Sequence, residues 1–317
     1  MIPPRTRAEA RQSRGSPPQS GLLLLNKKSG ITSFDSLGSV KKALATGKVG
    51  HTGTLDKFAS GLLLVLAGRG VKLAPLFENC VKEYTGTVFF GAETDTLDPE
   101  GKIIAEAKLP TREETEAVLV GFRGDILQSP PAYSAIHVNG RRAYELARNG
   151  KEPQMKKRPC TVYELEITSW TPPLAVIYAR VSAGTYIRSL ARDIALAAGS
   201  RAYLTALKRT RVGPFSLNDA VDKNDEESFK KALKPLDKTL FEALSLPVFL
   251  IDEKNVNGFM NGIPLEQMLA SSEFCTSIEL SDMQAAGVFR KDGSNGLLGI
   301  LNFQKGKWKY GHVFRDN

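Results

Sequence analysis

The apolar residues of this chain fall into two patterns. Leu22–Leu25 and Leu62–Ala67 are unbroken apolar runs, the mark of buried strands. Val162–Thr168 and Ala175–Ser182 instead alternate apolar with polar positions around Pro172-Pro173, and Tyr84–Phe90 has strand composition. Asp98-Pro99-Glu100-Gly101 reads as a turn from which Lys102–Glu106 returns as a hairpin partner. Helices are marked by their ends. Thr32 or Ser33 is placed to cap a helix running to about Ala45, with Val40 and Leu44 on one face. Thr111 with Glu114 makes a capping box for a helix to about Gly121. Tyr144–Arg148 reads as a short helix stopped near Gly150, and Ile187–Ala198 as one ended by Gly199.

The elements mix without strict β-α-β alternation, so residues 21–245 are expected to form an α+β domain on a mainly antiparallel, mixed sheet. Its stretch 217–245 reads as a helical connector of mixed charge. From Leu246 the composition changes to short strands (Val248–Ile251, Leu297–Phe303, Lys307–Phe314) divided by Gly, Asp and Asn turns. That predicts a small β domain over 246–317. Residues 1–20 read as a disordered basic arm. A transit peptide would share their composition, but Pro3, Pro4, Pro17 and Pro18 break its amphipathic helix.

Charge then narrows the partners. Of 317 residues, 43 are Lys or Arg and 34 Asp or Glu, a formal net charge of +9. Such an excess favours a polyanion, most simply nucleic acid. Two clusters carry it. Residues 139–160 hold Arg141, Arg142, Arg148, Lys151, Lys156, Lys157 and Arg158, and residues 201–214 hold Arg201, Lys208, Arg209 and Arg211 without an acid. The three cysteines and three histidines are scattered, so neither a disulfide framework nor a metal site is expected. No apolar run approaches the roughly 20 residues of a membrane span, and a cytoplasmic location is expected. Gly47–Gly53 and Gly68-Arg69-Gly70 match no phosphate-cradling fingerprint. No cofactor is expected.

The sharpest local feature is Gly50-His51-Thr52-Gly53-Thr54-Leu55-Asp56. Two glycines free the backbone, two threonines offer local hydrogen bonds, and a carboxylate ends the loop. Read alone, Asp56 fits a turn or helix cap as well as a catalyst, and His51 fits a loop histidine.

Several segments in order resolve that ambiguity. Gly50–Asp56 with Ser60-Gly61, Lys82-Glu83-Tyr84-Thr85-Gly86 with Gly91–Gly101, Gln128–Ala135, Tyr144–Arg148, Gly184–Leu190 and Leu207–Phe215 together resemble the bacterial tRNA pseudouridine-55 synthase (TruB) family from about Gly21 to Phe215. Two departures are local. Lys57 stands where the family usually has proline, and Asn26-Lys27-Lys28 replaces the usual Asp-Lys-Pro. The resemblance implies a pseudouridine synthase fold, with an RNA-gripping segment near 107–160 and a PUA-like RNA-binding β-barrel at 246–317. It implies isomerisation of uridine 55 in the T loop of tRNA, without cofactor or guide RNA, by a monomer that also assists tRNA folding. Asp56 would be the reacting carboxylate, with Arg188 its ion-pair partner, Tyr84 stacking on the flipped uracil and Tyr186 lining the pocket. His51 would fill the space the base leaves. Lys27, Arg141, Arg142, Arg148, Lys208, Arg209 and Arg211 would contact RNA.

Two other readings fit the sequence less well. A guide-RNA-dependent synthase of the archaeal or eukaryotic kind is disfavoured by the bacterial-style segment Gln128–Arg148. A pure RNA chaperone has no need of Asp56, Tyr84 and Arg188 together.

Overall fold

The computed structural model describes residues 19–134, 136–138, 141–143, 146, 155–222, 225–275, 284–293 and 296–315. The expected arm over residues 1–18, Arg148 and most of the helix expected at Tyr144–Arg148 lie outside these residues.

The main sheet is built from β1 (Gly21–Lys27), β2 (Val49–His51), β3 (Ser60–Ala67), β4 (Lys82–Phe90), β7 (Gly124–Gln128), β10 (Arg158–Thr171), β11 (Leu174–Val181), β12 (Ala202–Val212) and β13 (Phe215–Ser216). Its order is β1-β3-β12-β4-β11-β10-β7, with β2 on β3 and β13 on β12. All neighbours run antiparallel except β12 and β3, which meet in parallel at Lys208–Ser60 and Arg209–Gly61. The expected mixed, mainly antiparallel sheet is present.

The two apolar patterns correspond to two surroundings. In β1 the even positions Leu22 and Leu24 face one core while Leu23 and Leu25 face another, so the strand is covered on both sides. The second core includes Leu37 and Val40 of helix α1 (Leu37–Ala43) and Phe229 of the connector. In β4 the residues alternate buried and half-buried. Its buried face (Tyr84, Val88, Phe90) packs with Leu190, Ala191 and Ile194 of helix α3 (Ile187–Ala197). Before α3 comes α2 (Arg112–Leu119), where both bonds of the Thr111/Glu114 capping box are formed.

Three expectations are corrected here. Helix α1 begins at Leu37, three to four residues late: Thr32 does cap, accepting from the Asp35 amide, but residues 33–36 form turns rather than helix, and Ser33 Oγ is engaged with Leu55. The strand after the Asp98 turn, β6 (Ile103–Glu106), pairs with β5 (Ala92–Thr94) rather than with β4, so the turn stands out as its own hairpin. The basic cluster at 201–214 is mostly β12, a central strand flanked by β3 and β4.

The connector forms α4 (Glu226–Ala232) and α5 (Lys238–Ala243), and touches β1 through bridges at Lys234 and Val221. Beyond it lies a five-stranded sheet of β14 (Val248–Ile251), β15 (Glu273–Cys275), β16 (Ala285–Arg290), β17 (Leu297–Gln304) and β18 (Lys307–Val313), in the order β15-β14-β16-β17-β18. Helices at Glu253–Met260 and Leu265–Leu269, unforeseen in the turn-rich reading, interrupt it. Closure into a barrel is not seen among the described residues. This sheet is not a loose appendage. Phe241, Val248, Phe289, Ile300 and Phe314 share one apolar cluster with Leu22, Leu24, Leu62 and Leu64 of the main sheet. No helix among the described residues is long and apolar enough to cross a membrane.

Candidate active site

Asp56 sits on the loop between β2 and β3, and Arg188 in the first turn of α3, 132 residues later. The guanidinium lies edge-on to the carboxylate: Nη2 donates to Asp56 Oδ1 at 3.0 Å, and Nε is 2.9 Å from Oδ2. Its two Nη groups make further bonds. Nη1 donates to Thr96 O at 2.8 Å and to Asp98 Oδ2 at 3.2 Å, and Nη2 also to Tyr133 O at 3.1 Å. Arg188 is therefore locked from several elements and its side chain is only 4% exposed, whereas that of Asp56 is 37% exposed. A fixed buried cation holds a carboxylate that still faces solvent. The carboxylate is thus fixed in orientation yet open to a ligand.

Asp98 was read as a turn residue and its link to the site was missed. It is buried against the guanidinium, and its carboxylate also accepts from Thr96 Oγ1 and the Glu100 amide. Burial pushes its pKa upward, against the pull of Thr96 and Arg188. Spacing along the chain carries no sign of this contact, because 90 residues separate the partners.

Tyr186 immediately precedes α3 and is held by Gln128, whose side-chain amide bonds both the Tyr186 N–H and its C=O, at 2.8 and 3.1 Å. Burial raises the Tyr186 phenol pKa, and the nearby Asp56 charge adds in the same direction. Tyr84 is buried in the cluster containing Leu55 and Ala59, from the two arms of the Asp56 loop. His51 ends β2 half-buried, and its Nδ1 accepts a long 3.4 Å bond from the Gly53 amide. Burial and then Arg209 lower its pKa.

The expected RNA contacts divide sharply. Lys27 and Arg209 do not reach solvent; they are 1% and 2% exposed. Lys27 Nζ donates to Ile31 O and Ala59 O at 2.7 Å and to Lys28 O at 3.0 Å, with Lys57 O at 3.4 Å. It therefore knits the loop after β1 to the Asp56 loop. Burial lowers its pKa to about 8 despite the favourable Asp56 charge. Lys208 and Arg211 face solvent as expected, with Arg211 Nε 3.5 Å from Glu83. Arg141 and Arg142 lie in β9 (Arg141–Arg142), paired with β8 (His137–Val138); their side chains fall outside the description.

Comparison with known proteins gives the family. The model of the TruB family pseudouridylate synthase N-terminal domain matches residues 41–187. A tRNA pseudouridine synthase B from Borreliella burgdorferi is 42% identical over 81% of this chain and 90% of its own length. One from Treponema denticola is 36% identical over 86% and 93%. Among solved structures, an archaeal box H/ACA Nop10–Cbf5 complex contains a chain similar at a TM-score of 0.67 and 23% identity, covering 95% of this chain and 89% of that one. At that identity the likeness is one of fold. Fold and relatives together define an isomerase of the pseudouridine synthase class. Within that class, the chain belongs to the TruB family.

Proposed function

We propose that this protein isomerises uridine 55 in the T loop of tRNA to pseudouridine. The observation that carries the proposal is Asp56 held edge-on by the buried Arg188 while remaining open to solvent. The reaction breaks the N1–C1′ bond and joins C5 of the same uracil to C1′. The base loses a proton from C5 and gains one at N1, so nothing is added, removed, oxidised or reduced. A single ionised carboxylate at the ribose, acting as nucleophile or base, and a pocket that retains the detached uracil are sufficient. Arg188 holds the Asp56 carboxylate oriented. Tyr84 stacks on the base and Tyr186 closes the pocket beside Asp56.

The target uridine must leave its stack before Asp56 can reach the ribose, and His51 takes the vacated place. Lys208 and Arg211, with Arg141, Arg142 and Arg148, neutralise the T-arm phosphates. The C-terminal sheet acts as a PUA-like unit on the RNA beyond that stem. No guide RNA is required, and the monomer is the working form.

The test is incubation with unmodified tRNA and mapping of pseudouridine by chemical derivatisation. Product is expected at the T-loop uridine and nowhere else. Asp56→Asn should abolish it with tRNA affinity within about threefold, since the amide is nearly isosteric but neither nucleophilic nor basic. A variant retaining a tenth of the activity would remove Asp56 from the reaction.

A further inference from the structure

The burial of Arg209 removes it from the RNA surface and raises the question of what a buried guanidinium does there. Among the described residues no carboxylate is in ion-pair contact with it, and burying an unpaired charge is costly. It bonds main-chain carbonyls at the two ends of one loop. Nη2 donates to Gly53 O at 3.1 Å, just ahead of Asp56, and Nε donates to Leu62 O at 2.8 Å, just after the loop enters β3. The backbone contributes too. Arg209 pairs with Gly61 at the parallel junction of β12 and β3. Gly61 has φ +105, and a Cβ there would lie 2.3 Å from Arg209 O, so only glycine permits this approach. On its other side Arg209 pairs with Tyr84 of β4. One residue of the central strand thus touches the entry of the Asp56 loop, its exit, and the strand carrying the proposed base-stacking tyrosine.

The loop's other ties are distinct. Lys27 bonds Lys57 O and Ala59 O from the side of β1, and Ser33 Oγ both donates to Leu55 O and accepts from Leu55 N. Arg188 holds the Asp56 carboxylate itself. Of these, the Arg209 side chain alone bonds both arms of the loop.

We infer that Arg209 is a positioning residue that clamps the two arms of the Asp56 loop onto the central strand and so sets the carboxylate against Arg188. This rests on Asp56 being the reacting group. The guanidinium is suited to the task because its rigid planar fork aims Nε and Nη2 in fixed directions at carbonyls on separate segments, Leu62 and Gly53. Its charge also lies close enough to His51, Lys27 and Lys82 to depress the pKa of each.

The test compares full-length wild type, Arg209→Met and Arg209→Lys by single-turnover kinetics and by tRNA affinity. Thermal denaturation confirms that each is folded. Arg209→Met should lose about 10²-fold in the chemical step, the scale of a displacement near 1 Å, with affinity within about threefold. Arg209→Lys, which keeps the charge and can make one of the two bonds, should fall between and remains informative if the methionine variant does not fold. The His51 imidazole titration, followed by NMR, should move upward in Arg209→Met and stay near wild type in Arg209→Lys. A normal chemical step in Arg209→Met would overturn the inference. So would a loss confined to affinity, which would return Arg209 to RNA binding. Asp56→Asn, measured in parallel, separates the two readings. If it is active the assignment of Asp56 fails, while the His51 titration still reports whether Arg209 acts on this loop.

Discussion

Lys208 and Arg209 are neighbours on one strand, yet Lys208 faces solvent while Arg209 is sealed under the Asp56 loop. The contrast extends across the molecule. Beneath the loop lie Lys27, Arg188 and Arg209, each nearly inaccessible, with their donors spent on main-chain carbonyls and on Asp56 and Asp98. On the outside lie Lys208 and Arg211, both exposed. Chemically similar side chains therefore do opposite work. The buried set spends its charge on holding one carboxylate in place; the exposed set keeps its charge available to phosphates. The teaching is that a run of basic residues carries no label saying which kind it contains.

Breaking the buried set at its centre should have the largest effect. Arg188→Lys removes the edge-on contact with Asp56 and leaves Asp98 buried without its guanidinium, because one ammonium cannot face both carboxylates and two carbonyls at these angles. The expected outcome is a fall of about 10²-fold or more in the single-turnover rate, with tRNA affinity near wild type. Wild-type turnover would show the ion pair to be dispensable and would detach the buried set from catalysis.

Much of this was legible in the sequence, and the failures have physical causes. Apolar runs located β1 and β3, and the Thr111/Glu114 box located α2, because both signals are local. Asp56 and Arg188 were legible through motifs. Asp98 was not, since only the folding of the β5–β6 hairpin over the site brings it to Arg188. Strand β12 was hidden for another reason. Its pairing with β4 carries register shifts between Leu204 and Ala206 and between Arg209 and Arg211. Each bulge resets which face a residue takes, so the period-2 alternation is lost and the segment reads as a basic cluster. Lys27 ends, one residue beyond four consecutive leucines, a strand covered on both faces, and that position, more than its charge, determines its burial.

Lys27 offers a test of the buried set that does not depend on activity. Burial lowers its pKa from an ordinary 10.5 to about 8. Between those values the unfolded chain binds more protons than the folded one, so folding stability contributed by this group rises with pH across that window. Below about pH 8 the full cost of the buried ammonium is present. The shift corresponds to about 3 kcal/mol at roughly 1.4 kcal/mol per unit. Relative to Lys27→Met, the wild type should therefore gain stability by an amount of that order between pH 7.5 and 10, measured by denaturant unfolding at each pH. A difference between the two proteins that does not change with pH would mean that Lys27 titrates normally.

The exposed set should give the smallest and most specific effect. Each lysine or arginine that neutralises a phosphate releases counterions, so losing one should reduce the slope of log K against log salt by roughly 1 or slightly less. Lys208→Ala should show this change for T-arm binding while leaving the chemical step intact. Arg211→Ala should change the slope less, because its guanidinium already lies 3.5 Å from the Glu83 carboxylate. Arg209→Met, one residue away from Lys208, should leave the slope unchanged, since a sealed cation meets no phosphate. The three variants together test the contrast on adjacent positions of one strand. Equal slopes for Lys208→Ala and wild type would place the docking surface elsewhere, and a reduced slope for Arg209→Met would show that the loop opens to let RNA reach it.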